Sequence, residues 1–302
     1  VTKQIAISGS SGLIGSKLAT SLERQGCSVR RLVRSRPTGG SSDIYWNYET
    51  GEIDAPRLEG MDVIVHLAGK ALDEERWTRK VKAAVYSSRI KGTTLISKTL
   101  AQLGTPPRLL ISASATDFYA DSDTPMDETD GRPGKGYVAE MCRDWEAATD
   151  PARQAGIRVV TIRIPSVLAA HGHSILAAFL PLFRYGVGPV LGSGKQLMCF
   201  ISLDDLIRVI EHIIACEQIV GPVNVLTPGP VTNEEFAKTL GRILHRPVFL
   251  RLPAFILRLA MGEVAEAILA GDTQLRPGKL LATGFRFDYP DLEGALRHEL
   301  SQ

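Results

Sequence analysis

Ile5-Ala-Ile-Ser8, followed at once by Gly9-Ser-Ser-Gly12-Leu-Ile-Gly15, is the stretch on which the fold turns. Four residues of strand character run into a glycine-spaced turn, and Leu13 to Gln25 then carries a helical pattern. Glycines at the start of such a turn let the chain reverse tightly and let its backbone come close to a pyrophosphate. A glycine at the third position lets the helix pack on the strand, and the helix N-terminus offers free N–H groups to an anion. Glycine-rich turns are common, so the pattern takes its weight from the strand and helix on either side. Gly9, Ser11, Gly12, Leu13, Ile14 and Gly15 are therefore the candidate phosphate cradle.

Working outward, Val29 to Val33 reads as the second strand. Sites selective for NAD place an acid about 20 residues beyond the glycines, where it accepts from the ribose 2′-hydroxyl. No acid stands between Glu23 and Asp43; the stretch instead carries Arg30, Arg31, Arg34 and Arg36. Arg34, with Ser35 beside it at the carboxyl end of the strand, suits a 2′-phosphate, and NADP(H) is the expected cofactor. The competing reading is a solvated arginine rim. Val63-Ile-Val-His-Leu67 is a further strand, and the small residues of Leu67-Ala68-Gly69 would let the backbone lie against adenine and its ribose.

Short apolar runs alternate with helical patterns through the first half, the signature of β-α-β units. A helix is expected from about Glu75 to Leu103, a strand from Arg108 to Ser112, a helix from Tyr137 to Ala155 and a strand from Val159 to Ile164. The fold class is α/β, a doubly wound parallel sheet of Rossmann type with a smaller C-terminal substrate lobe. The expected dinucleotide domain is 1–168 plus about 197–224, and the lobe is 169–196 plus 225–302. Proline and glycine punctuate the lobe, with helices expected at Asp205 to Cys216, Asn233 to Leu244 and Leu257 to Leu269. Thr232-Asn-Glu-Glu235 reads as a helix start, a capping residue followed by acids.

With 302 residues, 44% hydrophobic and 23% charged, the chain is an ordinary globular one. A net charge of +2 implies no nucleic-acid footprint. No apolar run reaches the roughly 18 residues of a membrane span, so no membrane partner is expected. Lys3-Gln4-Ile5 already opens the first strand, so no signal peptide is expected, while Val1 as first residue is compatible with an upstream segment. Cys27, Cys142, Cys199 and Cys216 are scattered and read as neutral thiols, which suggests a cytoplasmic setting. His171 and His173 lack acidic or sulfur partners nearby, so no metal is expected. Trp46, Trp77 and Trp145 read as packing residues, the acids from Asp121 to Asp130 as a solvated loop, and Asp204-Asp205 as cap and dipole partners of a helix.

Taken with Arg76-Trp77, Ser88-Arg89, Trp145-Glu146, Gly192-Ser-Gly194, Phe200 to Leu206, Gly221-Pro-Val-Asn224 and Ala282-Thr-Gly-Phe285, these motifs resemble the extended branch of the short-chain dehydrogenase/reductase superfamily. The match spans essentially the whole chain and is nearest the atypical, epimerase-like subfamily of unknown substrate. The resemblance implies that Arg89 and Arg163 reach cofactor phosphate or ribose, with surface ion pairing as the alternative. It implies too that Ser112 contacts the cofactor and opens the segment carrying the catalytic hydroxyl, which falls on Ser114. The superfamily's Tyr-x-x-x-Lys falls on Tyr137-Val-Ala-Glu-Met141, so the tyrosine is kept and the lysine position holds Met141. Lys135 is expected to point elsewhere. Without a cation the phenol keeps a pKa near 10 and suits proton donation better than abstraction. Ser166 stands where sugar-nucleotide members carry an asparagine, while Phe200, Asn224 and Met198 are candidates for the substrate side.

Three functions follow as expectations. The first is an NADP-dependent oxidoreductase acting on a small carbonyl or hydroxyl compound, with Ser114 and Tyr137 catalytic, working as a monomer or homodimer. The second is a non-catalytic NADP(H)-binding sensor or partner-binding protein, which Met141 favours. The third is an NAD-dependent sugar-nucleotide epimerase, against which the arginine-rich second strand argues.

Overall fold

The computed structural model describes residues 2–71, 77–263, 265, 269, 271 and 273–301. The first half runs β1 (Gln4–Ser8), α1 (Leu13–Arg24), β2 (Ser28–Val33), β3 (Ile44–Asn47), β4 (Glu52–Ile53), β5 (Val63–His66), α2 (Arg79–Ala101) and β6 (Leu109–Ala115). Next come α3 (Tyr137–Ala147), α4 (Asp150–Gln154), β7 (Arg158–Ile164), β8 (Ser166–Leu168) and α5 (Ile175–Arg184). The remainder is β9 (Val190–Leu191), β10 (Leu197–Met198), β11 (Phe200–Ser202), α6 (Leu203–Ala215), β12 (Gly221–Asn224), β13 (Val231–Thr232), α7 (Asn233–Ile243), β14 (Arg251–Leu252), α8 (Ala254–Met261), α9 (Gly278–Ala282) and α10 (Leu292–Leu300).

Eight strands form one sheet in the order β12-β7-β6-β5-β1-β2-β3-β4, parallel except where β4 turns back on β3. Strand order reverses around β1, which pairs β2 on one side and β5 on the other. Ligands of open α/β sheets bind at that reversal, outside the carboxyl ends of the strands. Both faces are covered, which is why the strands read as unbroken apolar runs. Ile5, Ile7, Val65, Ile111 and Ile162 pack toward α1 and α6, while Ala6, Leu32, Ile64, Leu110 and Val159 pack toward Ile96 and Leu100 of α2.

A second core joins Leu176 and Phe183 of α5, Phe236 and Leu240 of α7, and Leu292 and Leu296 of α10. The expected start of α7 is a complete capping box: Thr232 Oγ1 accepts from the Glu235 amide, and the Glu235 carboxylate accepts from the Thr232 amide. Among the described residues no helix is long and apolar enough to cross a membrane, and no group of His, Cys, Asp or Glu forms a metal cluster.

Some expectations change. The helix set at Tyr137 to Ala155 is two helices, because Pro151 cannot continue the hydrogen bonding of α3 and starts α4 instead. Glu75 and Arg76 lie outside the described residues, as does much of the stretch expected to be a helix up to Leu269; α8 ends at Met261. Asp205 does not cap α6, since Ser202 does. Its fully buried carboxylate instead accepts from the Asp288 and Tyr289 amides and pairs with Arg208. Nor is the acidic loop wholly solvated: Glu128 accepts from the Asn224 and Lys279 amides, and burial pushes its carboxyl up.

Candidate active site

At the reversal point the glycines are spaced by contact. Gly9 sits at φ +71°, and a Cβ there would lie 2.9 Å from the Ala68 amide nitrogen, so the exits of β1 and β5 touch. A Cβ on Gly15 would lie 2.3 Å from the Gly9 carbonyl oxygen, a distance no side chain tolerates. The Gly12 amide closes the turn by donating to Gly9 at 3.0 Å. No side chain caps α1 and its first turn holds no acid, so the helix start, at Leu13, Ile14 and Gly15, is of the kind that can take an anion. Ser11 is exposed beside them, and Leu67, Ala68 and Gly69 form the opposite wall.

Below this cradle Ser8 and His66 share a 2.6 Å hydrogen bond, and Trp46 meets the imidazole edge-on at 5.6 Å. Burial pushes the His66 pKa down to about 4, so the ring is neutral, and its Nε2 has no partner among the described residues.

The four arginines separate by role. Arg36 pairs with Glu52 at 3.2 Å and stacks on Tyr45; Arg30 donates to the Arg57 carbonyl. Arg34 and Ser35, just past the end of β2, are exposed, and among the described residues Arg34 has no ion pair.

The far half of the site is built differently. Arg163 is 3% exposed, and its fork grips Glu146 through Nε at 2.7 Å and Nη2 at 2.9 Å. Ser114 donates to the same carboxylate at 2.8 Å. The Arg163 guanidinium also stacks 3.6 Å above the Phe118 ring. Burial alone would weaken its charge, but Glu146 more than offsets that and holds its pKa above the ordinary value. The Arg163 fork, expected at cofactor phosphate or ribose, engages Glu146, and the Ser114 hydroxyl, expected to be catalytic, donates to the same carboxylate. Ser112 is fully buried and makes only a 3.5 Å contact with the Ala113 carbonyl. Arg89 is 8% exposed, so it is no surface ion-pairing residue.

A cleft of about 680 Å³ opens here, lined among others by Thr116, Asp117, Lys135, Tyr137, Met198 and Trp77. Lys135 also lines this cleft. Trp77 is half-buried, packs with the cluster of Val81, Val85 and Met141, and meets Tyr137 edge-on at 5.7 Å. Tyr137 donates to the Lys82 carbonyl at 2.7 Å. Burial raises its pKa and the Arg89 charge offsets only part of that, so the phenol stays protonated. Met141 is buried against Val81 and Val85, and brings no cation. Phe200 and Asn224 are core residues, the latter accepting from the Tyr119 hydroxyl at 2.7 Å. Sequence reasoning missed the Glu146 hub, though Trp145-Glu146 had been marked; Thr116, which closes the Ser112-Ala-Ser114-Ala-Thr116 segment, lines the cleft.

The profile of the NAD dependent epimerase/dehydratase family matches residues 5–225, and that of a domain of unknown function, DUF1731, matches residues 252–299. An epimerase family protein of Mycobacterium tuberculosis is 41% identical over 294 residues, covering 97% of this chain and 96% of that one. The Bacillus subtilis epimerase family protein YfhF is 34% identical over 296 residues, with 97% and 96% covered. The crystal structure of the human epimerase family protein SDR39U1 with NADPH superposes with a TM-score of 0.87 at 28% identity, covering 99% of both chains. A nucleoside-diphosphate sugar epimerase from Corynebacterium glutamicum gives 0.81 at 32% identity, over 99% of this chain and 58% of the other.

Proposed function

Because the chain belongs to the NAD dependent epimerase/dehydratase family, we propose that it is an NADP(H)-dependent oxidoreductase reducing a small carbonyl compound in the cleft beside Tyr137. The observation that carries this reading is the backbone-only cradle where Gly9 meets Ala68, with a free Arg34 at one end and the Tyr137 cleft at the other. NADPH, when bound, supplies the hydride. Leu13, Ile14 and Gly15 amides hold the pyrophosphate, Arg34 and Ser35 take the 2′-phosphate, and Leu67, Ala68 and Gly69 lie against adenine and ribose.

Tyr137 is the proton donor. Its neutral phenol rests on the Lys82 carbonyl, a neutral acceptor that a substrate carbonyl oxygen replaces. Thr116 takes the polarising role that the resemblance gave to Ser114, while Ser114 and Arg163 hold Glu146 beneath the strand exit. The test is a carbonyl screen with NADPH on paired variants. Thr116→Val should lose about 10-fold or more in turnover, in the range of a lost hydrogen bond to a reacting oxygen, with Ser114→Ala much milder. The reverse ranking would restore Ser114.

Sugar-nucleotide epimerisation fits less well. Among the described residues the charged side chains lining the cleft are Asp117, Asp121, Glu263 and Lys135, and Glu263 is paired with Lys82. Lys135 is then the one cation that this described lining offers a diphosphate. A non-catalytic NADP(H) sensor remains the second reading, favoured by the buried Met141. Calorimetric titration with NADPH, NADP⁺, NADH and NAD⁺ separates these readings from the family's NAD chemistry. Preference for NAD(H) would return the epimerase, and binding without turnover of any carbonyl would leave the sensor.

A further inference from the structure

Tyr137 opens α3, and one turn later the helix carries Met141 in place of a cation. The methionine is buried against Val81 and Val85 of α2. Between those two valines in the chain stands Lys82, which meets the tyrosine twice. Its backbone carbonyl accepts from the phenol at 2.7 Å, and its ammonium nitrogen lies 5.2 Å from the centre of the ring. A cation at that distance is attracted by an aromatic face. The same ammonium pairs with Glu263, which stands just past the end of α8. Tyr137, Glu263 and Trp77 all line the cleft.

Lys82 is poorly placed for its own helix. The first turn of α2 holds no acid and carries Arg79, Lys80 and Lys82 at the positive end of the helix dipole, where cations are disfavoured. Glu263 offsets that cost and fixes the ammonium where it is, over the tyrosine. Other titratable groups approach Tyr137 from the same elements. Helix α2 also brings Arg89, whose charge acts on the phenol, and Tyr86, whose hydroxyl donates to Asp144 of α3 at 2.6 Å. Helix α3 itself carries Glu140 and Cys142, while Lys135 and Asp117 line the cleft. Among the described residues, Lys82 is the cation that lies over the Tyr137 ring.

We propose that Lys82 is the positioning residue that stands in for the lysine absent at 141, and that Glu263 sets how much of its charge Tyr137 feels. When the phenol passes its proton to the substrate oxygen, the electron pair of the O–H bond stays on the phenolic oxygen. The ammonium over the ring offsets that new charge, and the proton is regained from water. Until substrate arrives, the carbonyl of the same lysine holds the phenol. This rests on Tyr137 being the proton donor, and adds to it a pair that ties the start of α2 to the end of α8.

The test needs no substrate. Ultraviolet difference titration of each protein, against the same protein carrying Tyr137→Phe, reads the ionisation of this one phenol. An opposite charge within about 4–6 Å shifts an ionisation by about 1–3 pH units. Lys82 is a quarter exposed and already paired, so it should act at the low end of that range. Lys82→Met should therefore raise the midpoint by about one pH unit. Glu263→Gln should lower it, since the ammonium is then unopposed, and should lose most of that effect when Lys82→Met is also present. Lys82→Arg, charged throughout the alkaline range, should keep the midpoint at or below that of the parent. A packing role alone would move the melting temperature without opposite shifts in the two single variants. Equal midpoints in the parent and Lys82→Met, or a Glu263→Gln effect undiminished without the lysine, overturn the assignment. If Lys82→Met does not fold, Lys82→Gln takes its place. Turnover that survives Tyr137→Phe overturns the proton-donor reading instead.

Discussion

The two ends of the proposed site are built by opposite means. At the cradle, between Gly9 and Gly15, the proposed contacts are backbone groups, and the side chains proposed to join them, Arg34 and Ser35, stand exposed in solvent. At and beneath the cleft the side chains are already bonded: Tyr137 to the Lys82 carbonyl, and Ser114 and Arg163, under the strand exit, to Glu146. A backbone site is ready before ligand arrives and tolerates change only where it has no side chain to lose. A bonded side-chain site is coupled, so that removing one member exposes the rest.

The sharpest way to break this contrast is Glu146→Ala. It strands a buried guanidinium, and breaking such a pair costs about 3–5 kcal/mol of stability. Denaturant unfolding measures it, and a loss under 1 kcal/mol would mean that the hub is not coupled. The cradle end has its own buried group in His66. Its pKa is 6.5 unfolded and about 4 in the fold. Folding thus favours the neutral ring. Stability is full above pH 6.5 and falls as pH drops toward 4, by about 3 kcal/mol at the limit. His66→Gln should remove that slope from unfolding curves taken across the window; an unchanged slope would assign it to other groups. Tyr137→Phe should cut turnover by about 10²-fold or more while leaving NADPH affinity nearly intact. Surviving activity would move the proton donor elsewhere. The smallest effect is that of Arg34→Ala, about 10-fold on NADPH and nothing on NADH, read by calorimetry.

The same contrast decides what was legible in the sequence. Gly9, Gly12 and Gly15 could be read because backbone geometry restricts the residue type locally, and β1, α1 and β5 follow from apolar period and spacing. Arg34 could be marked as a candidate because it lies on a strand end a fixed distance downstream, where it stands exposed. Glu146 could not, because its meaning depends on Arg163 and Ser114, which are 17 and 32 residues away in the chain. Ser114 read as a free hydroxyl for the same reason. Strands β3 and β4 were missed at the sheet edge, where they are short and their residues only partly apolar.

The carboxylates of Asp205 and Glu299 have a consequence for synthesis. Asp205 fastens the 288–289 segment, and Glu299 accepts from the Leu203 amide. The start of α6 is thus clasped by residues nearly a hundred positions later. At a ribosomal rate of about 5–20 residues per second, it waits roughly 5–20 seconds for them. During that interval the nascent chain carries the sheet's apolar covering helix without its clasp, and a chaperone that engages this chain would have that window in which to do so.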